Sequence, residues 1–173
     1  ESLEIACEVM KKLHRAMSPD NHYFPHIKDW LAALDKDWNI PHEYLQKARE
    51  LRGQLLKTTD GDVLLHGDLH HDNILQDGEA WVVIDPKGVI GEPAYEVAAF
   101  IRNPMPELLT HDNAPNIIHN RISRLVGLLE LPSQRILDWC FVQAVLSWVW
   151  AIEDANDASY FEQLTKFFDV MLP

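Results

Sequence analysis

His66-Gly67-Asp68-Leu69-His70-His71-Asp72-Asn73-Ile74-Leu75 is the stretch that decides how this chain folds. It follows the apolar run Val63-Leu64-Leu65 and precedes a second, Ala80-Trp81-Val82-Val83-Ile84, which ends on Asp85. Short runs rich in branched and aromatic residues, bounded by turn residues, favour extended backbone. The order is therefore strand, charged loop, strand, acid. Gln76-Asp77-Gly78-Glu79 lies between the two runs, and Asp-Gly in such a place is a hairpin signal.

Outward from this segment the periodicity is helical. Leu3, Ile5, Ala6, Val9, Met10, Leu13 and Met17 predict a helix ending near Ser18-Pro19. A short amphipathic helix is expected from Ile27 to Leu34. A longer one is expected from Pro41, at a first helical position, to Thr59. Beyond Asp85, Pro86-Lys87-Gly88 and Gly91-Glu92-Pro93 break regular structure. Helices are then expected over Ala94–Ile101, Asn116–Leu129, Ser133–Ala155 and Ser159–Met171, with Ser133 as an N-cap. The expected class is mainly α (α+β): one domain over 1–173, a helical bundle with a small hairpin bearing nearly all the notable polar residues.

Composition narrows the function. The chain has 173 residues, 47% of them apolar, which is ample for one buried core. Its net charge is -12 with only 15 Lys and Arg, which argues against a nucleic-acid partner, since phosphate backbones select basic surfaces. The acidity suits solubility and would also suit a cationic substrate. Cys7 and Cys140 sit in helical apolar patterns and are expected as buried free thiols in a reducing compartment. The most apolar stretch, Trp139 to Ile152, contains Gln143 and Ser147 and is too short for a membrane span.

Asp68 lies five residues before Asn73, and Asp85 ends the following strand. Phosphoryl transfer of the kinase type needs such a set. One Asp accepts or orients the attacking hydroxyl proton, while an Asn and a second Asp hold magnesium on the phosphates. Magnesium prefers these hard oxygen ligands and completes its shell with phosphate and water. His66 is expected to hold the loop by hydrogen bonds. His70 and His71 fit either the substrate side or a solvated loop. Lys87 fits a phosphate contact or a pair with a nearby acid. Glu153, Asp154 and Asp157 form an acidic helix end that would suit an amine-rich substrate or simply face solvent. Trp139 and Trp148 are expected to share core packing, with Trp150 pointing elsewhere; core is the default for all three, and a substrate wall the alternative. A rival reading takes His66, His70 and His71 as ligands of a zinc hydrolase.

His66-Gly67-Asp68-Leu69-His70, Asn73-Ile74-Leu75 and Ile84-Asp85-Pro86 resemble the aminoglycoside phosphotransferase family, small-molecule kinases of protein-kinase-like fold. Ile84 to Glu96 with Arg102-Asn103-Pro104, and Asp138-Trp139 with Gln143 to Ser147, are similar to its streptomycin 6-kinase and hydroxyurea phosphotransferase branch. Residues before Asp60 match only in helical character. The resemblance implies Asp68 as catalytic base, Asn73 and Asp85 as magnesium ligands, His66 as loop architecture and Glu96 as structural. It also implies a cytoplasmic enzyme that moves the γ-phosphate of ATP to a hydroxyl of an aminoglycoside-type antibiotic or hydroxyurea, conferring resistance. Asp72 stands where the family often has Gly.

Such an enzyme also needs a strand-rich nucleotide cover with a lysine paired to a glutamate. No such strands are expected before residue 60, and none of the seven glycines belongs to a Gly-rich loop. The expectation is a kinase-like C-terminal lobe, partnered by the N-terminal lobe of a parent chain and inactive alone. A non-catalytic kinase-like lobe is the other alternative.

Overall fold

A computed structural model describes residues 2–15 and 24–173. At its centre lies α6 (Ser133–Glu153), buried on nearly all sides from Trp139 to Val149. A helix apolar all round has to be covered all round. Helices α3 (His42–Lys57), α4 (Pro93–Arg102), α5 (Ala114–Leu129) and α7 (Ser159–Met171) pack on it, and α1 (Ser2–His14) covers α5. By length and composition α6 would pass as a membrane span, longer than the stretch expected from sequence, but here it is the core helix of the bundle. Ser133 is its first helical residue, with Pro132 at the N-cap position. The expected end of the first helix near Ser18-Pro19 lies outside the described residues.

Helix α4 is buried from Ala94 to Ile101, so it too is sandwiched rather than amphipathic in use. Glu92, just before it, fastens it to α6. Its buried carboxylate accepts from Arg135 Nε, from Arg135 Nη2 at 2.7 Å and from Trp139 Nε1 at 3.1 Å. A carboxylate this enclosed needs such a full set of donors to offset its lost hydration. Cys7 and Cys140 are both buried and free.

Two small sheets replace the single hairpin expected. Strands β2 (Ile74–Asp77) and β3 (Ala80–Val83) form that hairpin around Gly78, which has φ 61°. Strand β1 (Val63–Leu65) is not part of it. It pairs antiparallel with β4 (Val89–Gly91), in a segment expected to be irregular. The pairing is set by a tight reversal in which the His66 carbonyl accepts from Lys87 N at 2.8 Å and Gly88 N at 3.1 Å. The short helix α2 (Ile27–Leu31), continued by a 3-10 turn over Ala32–Asp35, lies against β4, with His26 bridging to Ile90.

Candidate active site

The loop between β1 and β2 is held from below by α4. Glu96, only 1% exposed, accepts backbone N–H bonds from His66 at 2.6 Å and Gly67 at 3.0 Å, one on each carboxylate oxygen. Gly67 turns the chain with φ 87°, and a Cβ there would lie 2.8 Å from the Trp30 ring. The His66 side chain is buried. Its Nε2 meets the Ile84 carbonyl at 2.8 Å, and its Nδ1 accepts weakly from Asp68 N at 3.4 Å. Those partners make Nε2 the protonated nitrogen. His66 therefore ties the loop to the end of the hairpin, the architectural role expected of it.

A 3-10 turn over His71–Asn73 returns the chain into β2. The Asn73 side chain is buried, and its Nδ2 donates to the Asp68 carbonyl at 3.0 Å and lies 3.2 Å from His70 Nε2. This orientation leaves Oδ1 as the atom able to meet a cation. Across the ladder, Ile84 N donates to the Asn73 carbonyl at 3.1 Å, which brings Asp85 beside Asn73. Asp85 has the left-handed φ of 54°, a conformation Asp tolerates better than most residues, and its carboxylate is exposed. Lys87 Nζ sits 2.7 Å from it. That hydrogen bond and charge hold the Asp85 carboxyl below the usual carboxylate range and raise Lys87 in turn.

Asp68 faces a cleft of about 450 Å³ walled by Trp30, Trp150 and Phe161, with Asp154 and Asp157 among its lining residues. Asp157 is kept anionic by bonds from Ser159 N and Ser159 Oγ, both at 2.9 Å, which lower its pKa. Trp150 departs from the default core reading. It is half-buried, lines the cleft and meets Trp30 edge-on at 5.9 Å and 79°. Trp139 and Trp148 are buried as expected. Glu153 turns instead to Lys36 at 3.2 Å and does not line the cleft. The loop therefore brings Asp68, Asn73 and Asp85 together, with Lys87 beside Asp85 and Asp154 on the cleft wall.

The three histidines of the zinc reading do not converge. Both ring nitrogens of His66 are engaged. His71 stacks on Phe100 at 4.1 Å, where burial lowers its pKa and keeps it neutral. His70 stays by Asp68, with Nε2 4.0 Å from Oδ2. Among the described residues no group of three or more His, Cys, Asp or Glu is placed to hold a metal ion. Two oxygen donors at the hairpin end, Asn73 and Asp85, suit a magnesium ion whose remaining ligands are phosphate and water.

Sequence reasoning gave no role to Arg102 or Gln143. Arg102 Nη2 donates to Asp68 Oδ1 at 3.1 Å, and Nη1 donates to Gln143 Oε1 at 3.1 Å. A usable signal was present: an arginine directly after the apolar run from Val97 to Ile101 of α4, and a glutamine inside the apolar run of α6.

A helical lobe bearing a His-Gly-Asp loop, an Asn and a strand-end Asp has the make-up of a kinase-like lobe. Amicoumacin kinase in complex with AMP-PNP, Ca2+ and Ami shares this fold, with TM-score 0.64 and 17% identity over 97% of this chain and 56% of that one. The chain belongs to the aminoglycoside/hydroxyurea antibiotic resistance kinase family, whose model matches residues 1–155. It is 31% identical over 160 residues to streptomycin 3''-kinase of Klebsiella pneumoniae, covering 89% of this chain and 59% of that protein. It is 33% identical over 99 residues to hydroxyurea phosphotransferase of Kitasatospora aureofaciens, covering 57% of this chain and 27% of that protein. The chain thus spans less than two thirds of the length of the curated relatives it matches.

Proposed function

We propose that this chain is the catalytic lobe of a cytoplasmic, ATP-dependent phosphotransferase that moves a γ-phosphate to a hydroxyl of a small cationic molecule, a streptomycin-like aminoglycoside before hydroxyurea. The observation that carries this reading is Asp68 at the cleft with Asn73 bonded to its carbonyl and Asp85 next to Ile84, whose N–H meets the Asn73 carbonyl across the strands. Asp68 accepts or orients the acceptor hydroxyl proton, and Asn73 and Asp85 would hold the magnesium ion that neutralises phosphate charge. Lys87, beside Asp85, would face the same phosphates. Positioning and charge neutralisation do most of the catalytic work in such a transfer.

Two features support the ligand classes. The outer face of the hairpin exposes Leu75, Val82 and Ile84, with Leu75 and Val82 paired across the strands, a flat apolar floor beside Asp85 that suits a purine ring. The acceptor cleft combines aromatic walls with Asp154 and Asp157, which suits ammonium or guanidinium groups. An exposed apolar floor beside the metal ligands also requires a cover. In this reading an N-terminal lobe of the parent protein supplies it, and the lobe alone does not turn over.

The test is phosphoryl transfer by the parent-length protein with Mg-ATP and an acceptor panel including streptomycin and hydroxyurea, read by mass spectrometry. A phosphorylated cationic acceptor is expected. ATP binding without any phosphorylated product would point to the non-catalytic lobe and refute this reading.

A further inference from the structure

Asp68 is held by more than its own loop. Its Oδ1 accepts from Arg102 Nη2 at 3.1 Å, while no other cation meets that oxygen within ion-pair distance among the described residues. Arg102 closes α4, and its side chain is only 13% exposed. It is gripped from the far side by Gln143 of α6, whose Oε1 accepts from Nη1 at 3.1 Å and whose Nε2 donates to the Tyr95 carbonyl at 2.5 Å. The Arg102 carbonyl in turn accepts from Tyr160 Oη at 2.5 Å, which ties the end of α4 to α7, the helix that also supplies Phe161 to the cleft wall.

From this geometry we infer that Arg102 is the positioning residue of the site, fixing Asp68 through one oxygen so that Oδ2 points at the acceptor hydroxyl, with Gln143 setting the position of the guanidinium. This rests on the kinase reading above. An exposed carboxylate on a loop rotates freely about its side-chain torsions. A planar guanidinium, anchored at both forks, removes that freedom before the acceptor arrives. The arrangement is costly to a purely structural account. Among the described residues Arg102 is nearly enclosed, its Nε has no hydrogen-bond partner, and its one carboxylate partner is the group that faces the cleft. A buried ion pair serving stability alone would be placed among fully satisfied groups, as the Glu92–Arg135–Trp139 cluster is.

The alternative role, an anion-binding arginine waiting for the transferred phosphate, makes a different kinetic prediction. Loss of a phosphate contact raises KM for ATP. Loss of positioning lowers kcat and leaves that KM unchanged.

The experiment compares parent-length wild type with Arg102→Met, Arg102→Lys, Gln143→Met and the Arg102→Met/Gln143→Met double variant. Each is measured for kcat and for both KM values on an acceptor the wild type phosphorylates, alongside its thermal midpoint. Arg102→Met is expected to lose about 10- to 100-fold in kcat, the scale of a misplaced reacting group. Its KM for ATP is expected within about 3-fold of wild type, and added guanidinium ion is expected to restore part of the rate. Gln143→Met should lose less in the same direction. The double variant should lose no more than Arg102→Met alone, because the two act on one carboxylate. Should Arg102→Met fail to fold, Arg102→Lys and Gln143→Met decide the matter. Unchanged kcat in them overturns the inference, as does a loss that appears only in KM for ATP. An inactive wild type would overturn the kinase reading itself, whereas active variants overturn the role of Arg102 alone.

Discussion

Replacing Glu96 by glutamine strikes the support of the loop from His66 to Asn73 without touching the cleft. Each oxygen of the buried carboxylate accepts one backbone N–H, from His66 at 2.6 Å and Gly67 at 3.0 Å, and His14 Nε2 lies 3.8 Å from Oε2. A carboxamide offers one acceptor oxygen and one N–H2 group. It can satisfy one of the two donors, and it points its own hydrogens at the other. One charge-assisted bond is lost, about 1.5–3 kcal/mol, and the backbone N–H left facing the amide stays unsatisfied in the interior. A total of about 2–4 kcal/mol is expected, a large share of the 5–15 kcal/mol typical of a domain. Glu96→Ala, which abandons both donors, should cost more. Urea unfolding followed by tryptophan fluorescence measures this. With a slope of about 2 kcal/mol/M, Glu96→Gln should lower the midpoint by about 1–2 M. A loss below about 0.5 kcal/mol would mean that the loop is held by other bonds and that the account of its support is wrong.

Other perturbations follow from the same contacts. Gly67→Ala puts a side chain at φ 87° and 2.8 Å from the Trp30 ring, so it should cost about 2–4 kcal/mol in thermal or urea unfolding. His71 is half-buried with its pKa lowered by desolvation, so the unfolded chain binds its proton more readily than the folded one. Its contribution is therefore complete above the ordinary value of 6.5 and is lost as pH falls below it. His71→Phe, which can keep the stack on Phe100, should flatten the decline of stability in that window. An unchanged decline would show that other groups cause it. Asp154→Asn and Trp150→Ala in the parent-length protein should each raise KM for a cationic acceptor several-fold while leaving KM for ATP alone. Steady-state kinetics on both substrates would expose the opposite pattern.

The sequence made the helices and the hairpin legible because each is encoded locally. Apolar spacing marked α3, α5, α6 and α7, and Asp77-Gly78 marked the β2–β3 turn. The β1–β4 pairing was not legible, since it joins segments more than twenty residues apart through a reversal that depends on the His66 carbonyl. The proposed catalytic set Asp68, Asn73 and Asp85 stood out because its spacing is carried within one loop and one hairpin. Arg102, Gln143 and Trp30 could not be added in the same way. They arrive from α4, α6 and α2, and their places at or behind the cleft depend on how those helices pack. The sequence names no partner for Trp150, whose place beside Trp30 depends on where α2 packs. Glu153 and Asp154 are adjacent in sequence, yet the end of α6 turns one towards Lys36 and the other into the cleft.

The most direct test of the central claim is Asp68→Asn in the parent-length protein, with single-turnover phosphoryl transfer measured from Mg-ATP to an acceptor the wild type uses. Asparagine keeps an oxygen for Arg102 and nearly the same shape, so folding and nucleotide binding should be preserved. The transfer rate is expected to fall by at least about 100-fold, the usual contribution of a general base. Transfer within about 3-fold of wild type would contradict the role given to Asp68, and with it the reading of this lobe as a catalyst built around that residue.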